Sequence, residues 1–369
     1  MPEYHAPGVH VQETNPGDHG ITAVSTTIAA FVGFAQIGPT TPTLITDFFG
    51  FTSVFGGFTS VFGGFAPKQY LAFAVQAFFH NGGTRCYVLR IGTEPTPPAE
   101  VLAPLEALAD VSIVCCPDEN AIPGMTAALV AHCELMRYRI AVLDAPDGDL
   151  SSGLPEEARS SYAACYTPCV LVPNPGGLPW AVPPGGHVAG AMANSDTQNG
   201  VWKAPANLPV VGISGLTQQI NDQEQGTLSE LGINALRHFP GRGDLIWGAR
   251  TTSTDPEWKY INVRRYLIYL ERSIDQGMQW VAFEPNGEQL WANVRQTIEN
   301  FLYNEWISGA LLGDKPEKAY FVRCDRTTMT QNDLDNGRLV CLVGVAALKP
   351  AEFVIFRIEQ WTANANKCG

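Results

Sequence analysis

The segment between residues 84 and 175 constrains the fold more than any other, because its hydrophobic period switches back and forth. TRCYVLRIG at 84–92 reads as a strand, residues 99–109 as a short helix, and VSIVCCPDE at 111–119 as a second strand. TAALVAHCELM at 126–136 is helical in period, RIAVLDAP at 139–146 is a third strand, and CVLVPNP at 169–175 adds one more. Strand alternating with helix defines an α/β class with a central sheet. The strands end in polar loops, which in α/β enzymes often carry the site. Asp118, Glu119, Asp144 and Asp147 stand in these loops, and their carboxylates could in principle hold Mg²⁺; solvated turns are the commoner explanation of acids at strand ends. The chain has no GxGxxG after a strand, no GxxxxGKS/T, no GxSxG and no HExxH. Cys165 and Cys169 form a CxxxC, a weak zinc signal without a second pair or a close His.

Around this segment the chain is less regular. Residues 21–35 read as a strand leading into a glycine turn. FTSVFGG occurs twice, at 51–57 and 58–64; two copies fall short of a solenoid and indicate a duplicated helix and turn. Residues 68–80 read as a buried helix stopped by Asn81-Gly82-Gly83. Residues 173–226 are rich in Pro, Gly, Asn and Ser and read as a loop joining two domains, with Asp196, Asn199 and Gly200 as turn formers. A short helical pattern covers 227–238, and Leu245, Ile246 and Trp247 lie in a strand after the turn that holds the RGD triplet Arg242–Asp244. Three residues recur by chance, and nothing marks an adhesion role.

The last third carries the clearest helices. Asp255-Pro256-Glu257 is a good start signal, since Asp caps, Pro suits the first turn and Glu meets the positive end. That helix extends to about Gln276, with Val263, Leu267 and Leu270 buried, and a second covers about Glu288 to Ser308. Residues 281–286 read as a strand and turn, YFVRCD and residues 338–348 as strands, and AEFVIFRIEQW at 351–361 as a further strand beyond Lys349-Pro350. Such a β segment needs a partner, because an unpaired one is an aggregation hazard.

The opening MPEYHAPGVHVQE has too little apolar mass to fold alone and reads as an arm, in which Tyr4, Val9 and Val11 suit an added strand. Only 16% of residues are charged, below the usual quarter, so part of the surface is expected to lie against partners. The net charge of −13 disfavours nucleic acid and acidic membranes. Residues 1–239 hold 8 basic and 20 acidic side chains, residues 240–369 hold 15 and 16, and a balanced segment suits an ordered interface. Nine cysteines, several in apolar runs, suit buried thiols in a reducing compartment. With neither a signal-peptide pattern nor an 18-residue apolar run, synthesis in the cytoplasm and no direct membrane insertion are expected.

GRGDLIWGARTTSTDPEWKYINVRRYLIYLERSIDQGMQWVAFEPNGEQLWANVRQTIENFL and RLVCLVGVAALKPAEFVIFRI resemble the C-terminal region of contractile tail sheath proteins. YHAPGVHVQE and YLAFAVQAFFHNGGTRCYVLRI resemble the family's N-terminal part, so the likeness covers roughly residues 1–91 and 206–360. The doubled FTSVFGG departs from the family pattern of one copy. The resemblance implies an α/β (α+β) subunit with extended terminal arms: an N-terminal arm at 1–20, an outer α/β domain at 21–205, an inner domain at 206–348, and a C-terminal strand or arm at 349–369. It implies hexameric rings stacked around an inner tube protein, contacts with baseplate and terminal cap proteins, no cofactor, no nucleic acid, and no enzymatic activity. Tyr4, Val9, Val11, Val343, Val345, Phe353, Ile355 and Ile358 are then expected to exchange strands between subunits, and Arg264, Arg265 and Arg295 to face the tube. Another structural tail component is the alternative, and a metal-dependent α/β enzyme a more distant one.

Overall fold

The computed structural model describes residues 20–353 apart from 36, 57–69, 93–95, 147, 149, 151 and 174–177. Tyr4, Val9, Val11, Ile355, Ile358, Asp147 and all of the second FTSVFGG copy therefore lie outside the described residues. The strands are β1 (Ala29–Phe34), β2 (Thr43–Ile45), β3 (Cys86–Ile91), β4 (Ile113–Cys115), β5 (Ile140–Asp144), β6 (Ala163–Thr167), β7 (Val170–Val172), β8 (Trp180–Val182), β9 (Leu208–Pro209), β10 (Gly215–Leu216), β11 (Ile233–Phe239), β12 (Gly243–Ile246), β13 (Tyr320–Arg323) and β14 (Leu342–Val345). The helices are α1 (Phe48–Phe55), α2 (Leu71–His80), α3 (Pro98–Leu102), α4 (Met125–Met136), α5 (Gly185–Asn199), α6 (Asp222–Glu230), α7 (Ile261–Gly277), α8 (Glu288–Ile307), α9 (Pro316–Ala319) and α10 (Gln331–Asp335).

Nine strands form one sheet in the order β2-β3-β1-β4-β5-β6-β11-β12-β9. The run from β3 to β11 is parallel, and β2, β12 and β9 close the two sides antiparallel. The central strands are apolar on both faces because both are covered. Ala29, Phe31, Ile113, Cys115, Ile140 and Val142 point into a core with α1, α2 and α5. Ala30, Val32, Val114, Ala141 and Leu143 point into the opposite core, under α3 and α4. A third core, in the C-terminal lobe, gathers Tyr266, Leu270, Trp291, Val294, Ile298 and Leu302 from α7 and α8 with Val322 and Val343 of the β13–β14 ribbon.

Several sequence expectations move. The unit boundary expected at residue 206 lies after β12 instead, because β11 pairs in parallel with β6 and carries β12 and β9 into the same sheet. The strand expected over 21–35 is confined to β1; in residues 20–28 the Val24 amide and the Thr26 hydroxyl bond side chains of α7 and α5 instead of a neighbouring strand. The helical pattern at 227–238 is split between α6 and β11, and residues 281–286 form a tight turn in which Phe283 takes φ 71°. The 173–226 stretch is not all loop, since α5 runs for 15 residues and most of it is buried. Its glycines explain both the misreading and the helix. A Cβ on Gly186 would lie 2.4 Å from Ala74 Cα, and one on Gly190 would lie 2.5 Å from the Phe78 carbonyl oxygen. Glycine at i and i+4 lets the α5 backbone lie directly on α2, a contact worth more than the helix propensity it forfeits.

Candidate assembly interface

The carboxyl edge of the parallel sheet is occupied by the chain itself. Strand order reverses around β1, where an α/β protein has its natural ligand crevice. Asp118 occupies that crevice and accepts the Phe34 amide at 2.9 Å and the Tyr70 amide at 2.8 Å. A Cβ on Gly33 would come within 2.6 Å of its carboxylate, so the space is full. Glu119 accepts the Asp144 amide and the Thr126 hydroxyl, and Asp144 accepts the Gly185 amide at 2.7 Å at the start of α5. Burial raises all three acids: Asp118 to about 6, partly offset by its two amide bonds, and Asp144 to about 8, while burial and then the Asp144 charge push Glu119 up. Asp144 Oδ2 has no hydrogen-bond partner among the described residues. These side chains fasten loops to the sheet, and among the described residues no group of three His, Cys, Asp or Glu is arranged to hold a metal ion. Cys165 is sealed within β6.

Helix α7 anchors both terminal segments. On one side, residues 20–28 cross it: Ser273 Oγ accepts the Val24 amide at 3.2 Å, and Ile21 lies so near Gly277 that a Cβ there would sit 2.7 Å away. Asp196 of α5 accepts Arg265 Nη1 at 2.9 Å, Arg265 Nη2 at 2.6 Å and Thr26 Oγ1 at 2.6 Å, and Arg265 Nη2 also donates to the Thr26 carbonyl at 3.0 Å. Burial raises the Asp196 pKa and the Arg265 charge opposes that shift. On the other side the departing C-terminal segment is held. Asn262 Nδ2 donates to the carbonyls of Trp202 at 2.8 Å and Leu348 at 2.9 Å. Glu352 accepts Arg250 Nε at 2.6 Å and the Tyr260 hydroxyl at 3.1 Å, and pairs with Lys259 Nζ at 3.1 Å. Burial opposes its ionisation, yet the Arg250 and Lys259 bonds hold Glu352 below the usual carboxylate range.

The β13–β14 ribbon belongs to the same lobe as α7. Its register pairs Tyr320 with Val345 and Val322 with Val343. By the two-residue period of strands these four share one face, and they pack on the α7–α8 core. The outer face shows Phe321 and Leu342, 45% and 50% exposed. Among the described residues the ribbon has two strands only, so each strand keeps one edge outside the ladder. Leu312 and Ala346 extend the pairing by one further amide bond of 2.8 Å. Phe353, at the end of the described chain, is 74% exposed.

Two of the three arginines expected to face a tube do not reach the surface. Arg264 is 6% exposed and lies flat between aromatic rings, 3.4 Å from the Trp258 centroid and 4.4 Å from that of Tyr162. Arg265 is 3% exposed and paired with Asp196. Both sit on the inward side of α7, where a guanidinium is tolerated because rings or a carboxylate replace its water. Arg295, in α8, keeps a side chain 41% exposed beside Glu299. Thr26, Asn262, Arg250 and Glu352 escaped the sequence reading, and Asp196, read as a turn former, lies buried inside α5. Asp196 had a usable signal, since it lies one turn beyond the apolar Ala189, Met192 and Ala193 of a helix-spaced run.

The comparisons agree with this architecture. The phage tail sheath protein central domain matches residues 98–252 and the phage tail sheath C-terminal domain matches residues 253–360. The two meet just after β12, where the structure changes unit. A chain of the anti-feeding prophage baseplate superposes with a TM-score of 0.83 at 32% identity, covering 97% of this chain and 100% of its own. A chain of the PVC extracellular contractile injection system sheath complex, in the contracted state, gives 0.81 at 30% identity, covering 98% and 99%. The tail sheath protein of Vibrio phage KVP40 is 25% identical over 189 residues, which is 50% of this chain and 27% of that longer protein. The likeness to these chains of contractile systems extends over almost the whole length of this chain. The chain belongs to the phage tail sheath protein family.

Proposed function

We propose that this chain is the structural subunit of a contractile sheath, stacking as hexameric rings around an inner tube, and that shortening of the sheath drives the tube through a target envelope. The observation that carries this reading is the two-stranded β13–β14 ribbon, open at its edges among the described residues and in the same lobe as α7, which anchors both terminal segments. An arm from a neighbour that adds a strand there gains backbone hydrogen bonds that do not depend on the orientation of the two subunit bodies. Bodies can then rotate during contraction while the mesh stays connected, and a heterologous contact of this kind propagates as a helix. In this reading Tyr4, Val9 and Val11 supply one added strand and Phe353, Ile355 and Ile358 another, while Val343 and Val345 belong to the receiving ribbon. Arg295 remains as a tube-facing candidate. The energy for contraction is stored in assembly, with no catalytic step, and the subunit is made in the cytoplasm before the particle is released. Baseplate and cap proteins would terminate the helix at its two ends.

The test is negative-stain electron microscopy of the full chain, alone and with its tube protein. The expected result is helical tubes of repeating rings, lost when residues 1–14 or 354–369 are deleted. Uniform small particles in both conditions, with the deletions harmless, would refute the assignment.

A further inference from the structure

We propose that Cys324 and Cys341 form a cross-strand disulfide once the protein meets an oxidising environment, a covalent modification that closes one end of the β13–β14 ribbon. The ladder ends with Arg323 opposite Leu342, so the next rung sets Cys324 against Cys341. The two thiols are close enough that each affects the ionisation of the other. The rung is held from beyond as well. Thr328 Oγ1 donates to the Val340 carbonyl at 2.8 Å and to the Asp325 carbonyl at 2.9 Å, tying the turn after Cys324 to the residue before Cys341. Directly opposed positions of an antiparallel pair hold their Cβ atoms about 4.5–5.5 Å apart, close to the spacing a disulfide needs. The cysteines of the large sheet have no such arrangement. Cys86 of β3 and Cys115 of β4 are separated by β1, and Cys115 and Cys165 by β5.

Access sets the order of events. Cys341 is half-buried and Cys324 is 1% exposed, so an oxidant meets Cys341 first. With a low-molecular-weight disulfide as oxidant, the Cys341 thiolate attacks one sulfur of the reagent and expels a thiolate. The Cys324 thiolate then attacks Cys341 Sγ, forms the protein disulfide and expels the second thiolate. The two protons lost by the cysteines end on the two reagent thiols, so the protein is oxidised by two electrons and the reagent reduced by two. Several charges face the pair. Arg295 of α8 favours both thiolates, Asp325 opposes that of Cys324, and Glu299 opposes that of Cys341. Burial dominates and pushes Cys341 to about 12, so exchange is slow at neutral pH and speeds up as pH rises. The subunit can thus stay reduced during synthesis and acquire the bond afterwards. Residues 325–340, with α10, then become a closed loop on a ribbon whose end no longer frays.

The experiment uses the full-length wild-type chain incubated with oxidised glutathione at neutral and at alkaline pH, then blocked with N-ethylmaleimide, digested and mapped by mass spectrometry. The expected product is a peptide joining Cys324 to Cys341, lighter by two hydrogens, reversed by dithiothreitol and formed faster at alkaline pH. Cys341→Ser abolishes it, and Arg295→Gln slows it. Both cysteines recovered as maleimide adducts after oxidation would overturn the proposal. So would Cys341 retained as a glutathione adduct beside a free Cys324, or either cysteine joined to another partner.

Discussion

Replacing Arg265 with Met keeps the length of the side chain and deletes the guanidinium that neutralises Asp196. The substitution removes two of the three hydrogen bonds that Asp196 accepts and the one that holds the Thr26 carbonyl. What remains is a buried carboxylate bonded to Thr26 alone. Breaking one partner of a buried ion pair costs about 3–5 kcal/mol, mostly the penalty of the orphaned charge. Taking an unfolding entropy of ~2.1 cal/mol/K per residue over 369 residues, the melting temperature falls by about 4–6 °C. The loss depends on pH in a definite direction. Burial already raises Asp196, and the opposing pull of Arg265 disappears in the variant. A carboxyl whose folded-state pKa lies above its unfolded value costs stability increasingly as pH climbs from the unfolded through the folded value. The deficit of R265M against wild type therefore widens from mildly acidic to mildly alkaline pH. Adding Asp196→Ala recovers part of it, because the stranded charge goes too. Tryptophan fluorescence during thermal unfolding at several pH values measures the deficit, and limited proteolysis reports release of residues 20–28. A loss below about 1 kcal/mol that is flat with pH, with wild-type proteolysis, would show that the pair contributes no more than a surface ion pair.

Two further perturbations probe the other anchor and the interior. Glu352 is depressed in the folded state, so its contribution is present above the unfolded carboxyl value and lost as pH falls through the folded one. Protection factors against hydrogen exchange, corrected for the intrinsic pH dependence of amide exchange, should fall at residues 348–353 on acidification, and Glu352→Gln should bring the lower protection to neutral pH; a pH-independent protection factor in the wild type would refute the latch. Gly190→Ala gains about 1 kcal/mol of helix propensity but drives a methyl group within 2.5 Å of the Phe78 carbonyl oxygen and 3.0 Å of its Cα, backbone atoms that cannot rotate away. Overpacking of this kind costs about 1–3 kcal/mol, so denaturant unfolding should show a net loss, whereas a gain would mean that α2 and α5 are not tightly opposed.

Where period and punctuation were strong, the sequence was enough. β3, β4, β5, α4 and α8 lie within a few residues of where apolar spacing put them, because each is long or apolar enough for burial of one face to dominate. Helix α2 stops at Asn81-Gly82, as its glycines required, with Gly82 at φ 100°. Asp255 caps a short turn as expected, its carboxylate accepting the Glu257 amide at 2.9 Å, but α7 itself begins at Ile261. Helix α5 was unreadable for the opposite reason. Its small residues carry little hydrophobic signal, and the gain comes from contact with α2, a partner more than a hundred residues away.

The sequence alone thus determined the alternating α/β body, the paired helices of the last third and the resemblance to sheath proteins, because each rests on spacing within a few turns of chain. Only the tertiary structure decided how the polar side chains are used. Asp118, Glu119 and Asp144 look like ligands in a line of letters and prove to be loop fastenings, and Arg264 and Arg265 look like surface charges and prove to be interior ones. The reason is that a charge can be buried only where another part of the chain supplies its hydrogen bonds, and those partners, 69 residues apart for Arg265 and Asp196 and 102 for Arg250 and Glu352, meet only when the fold closes.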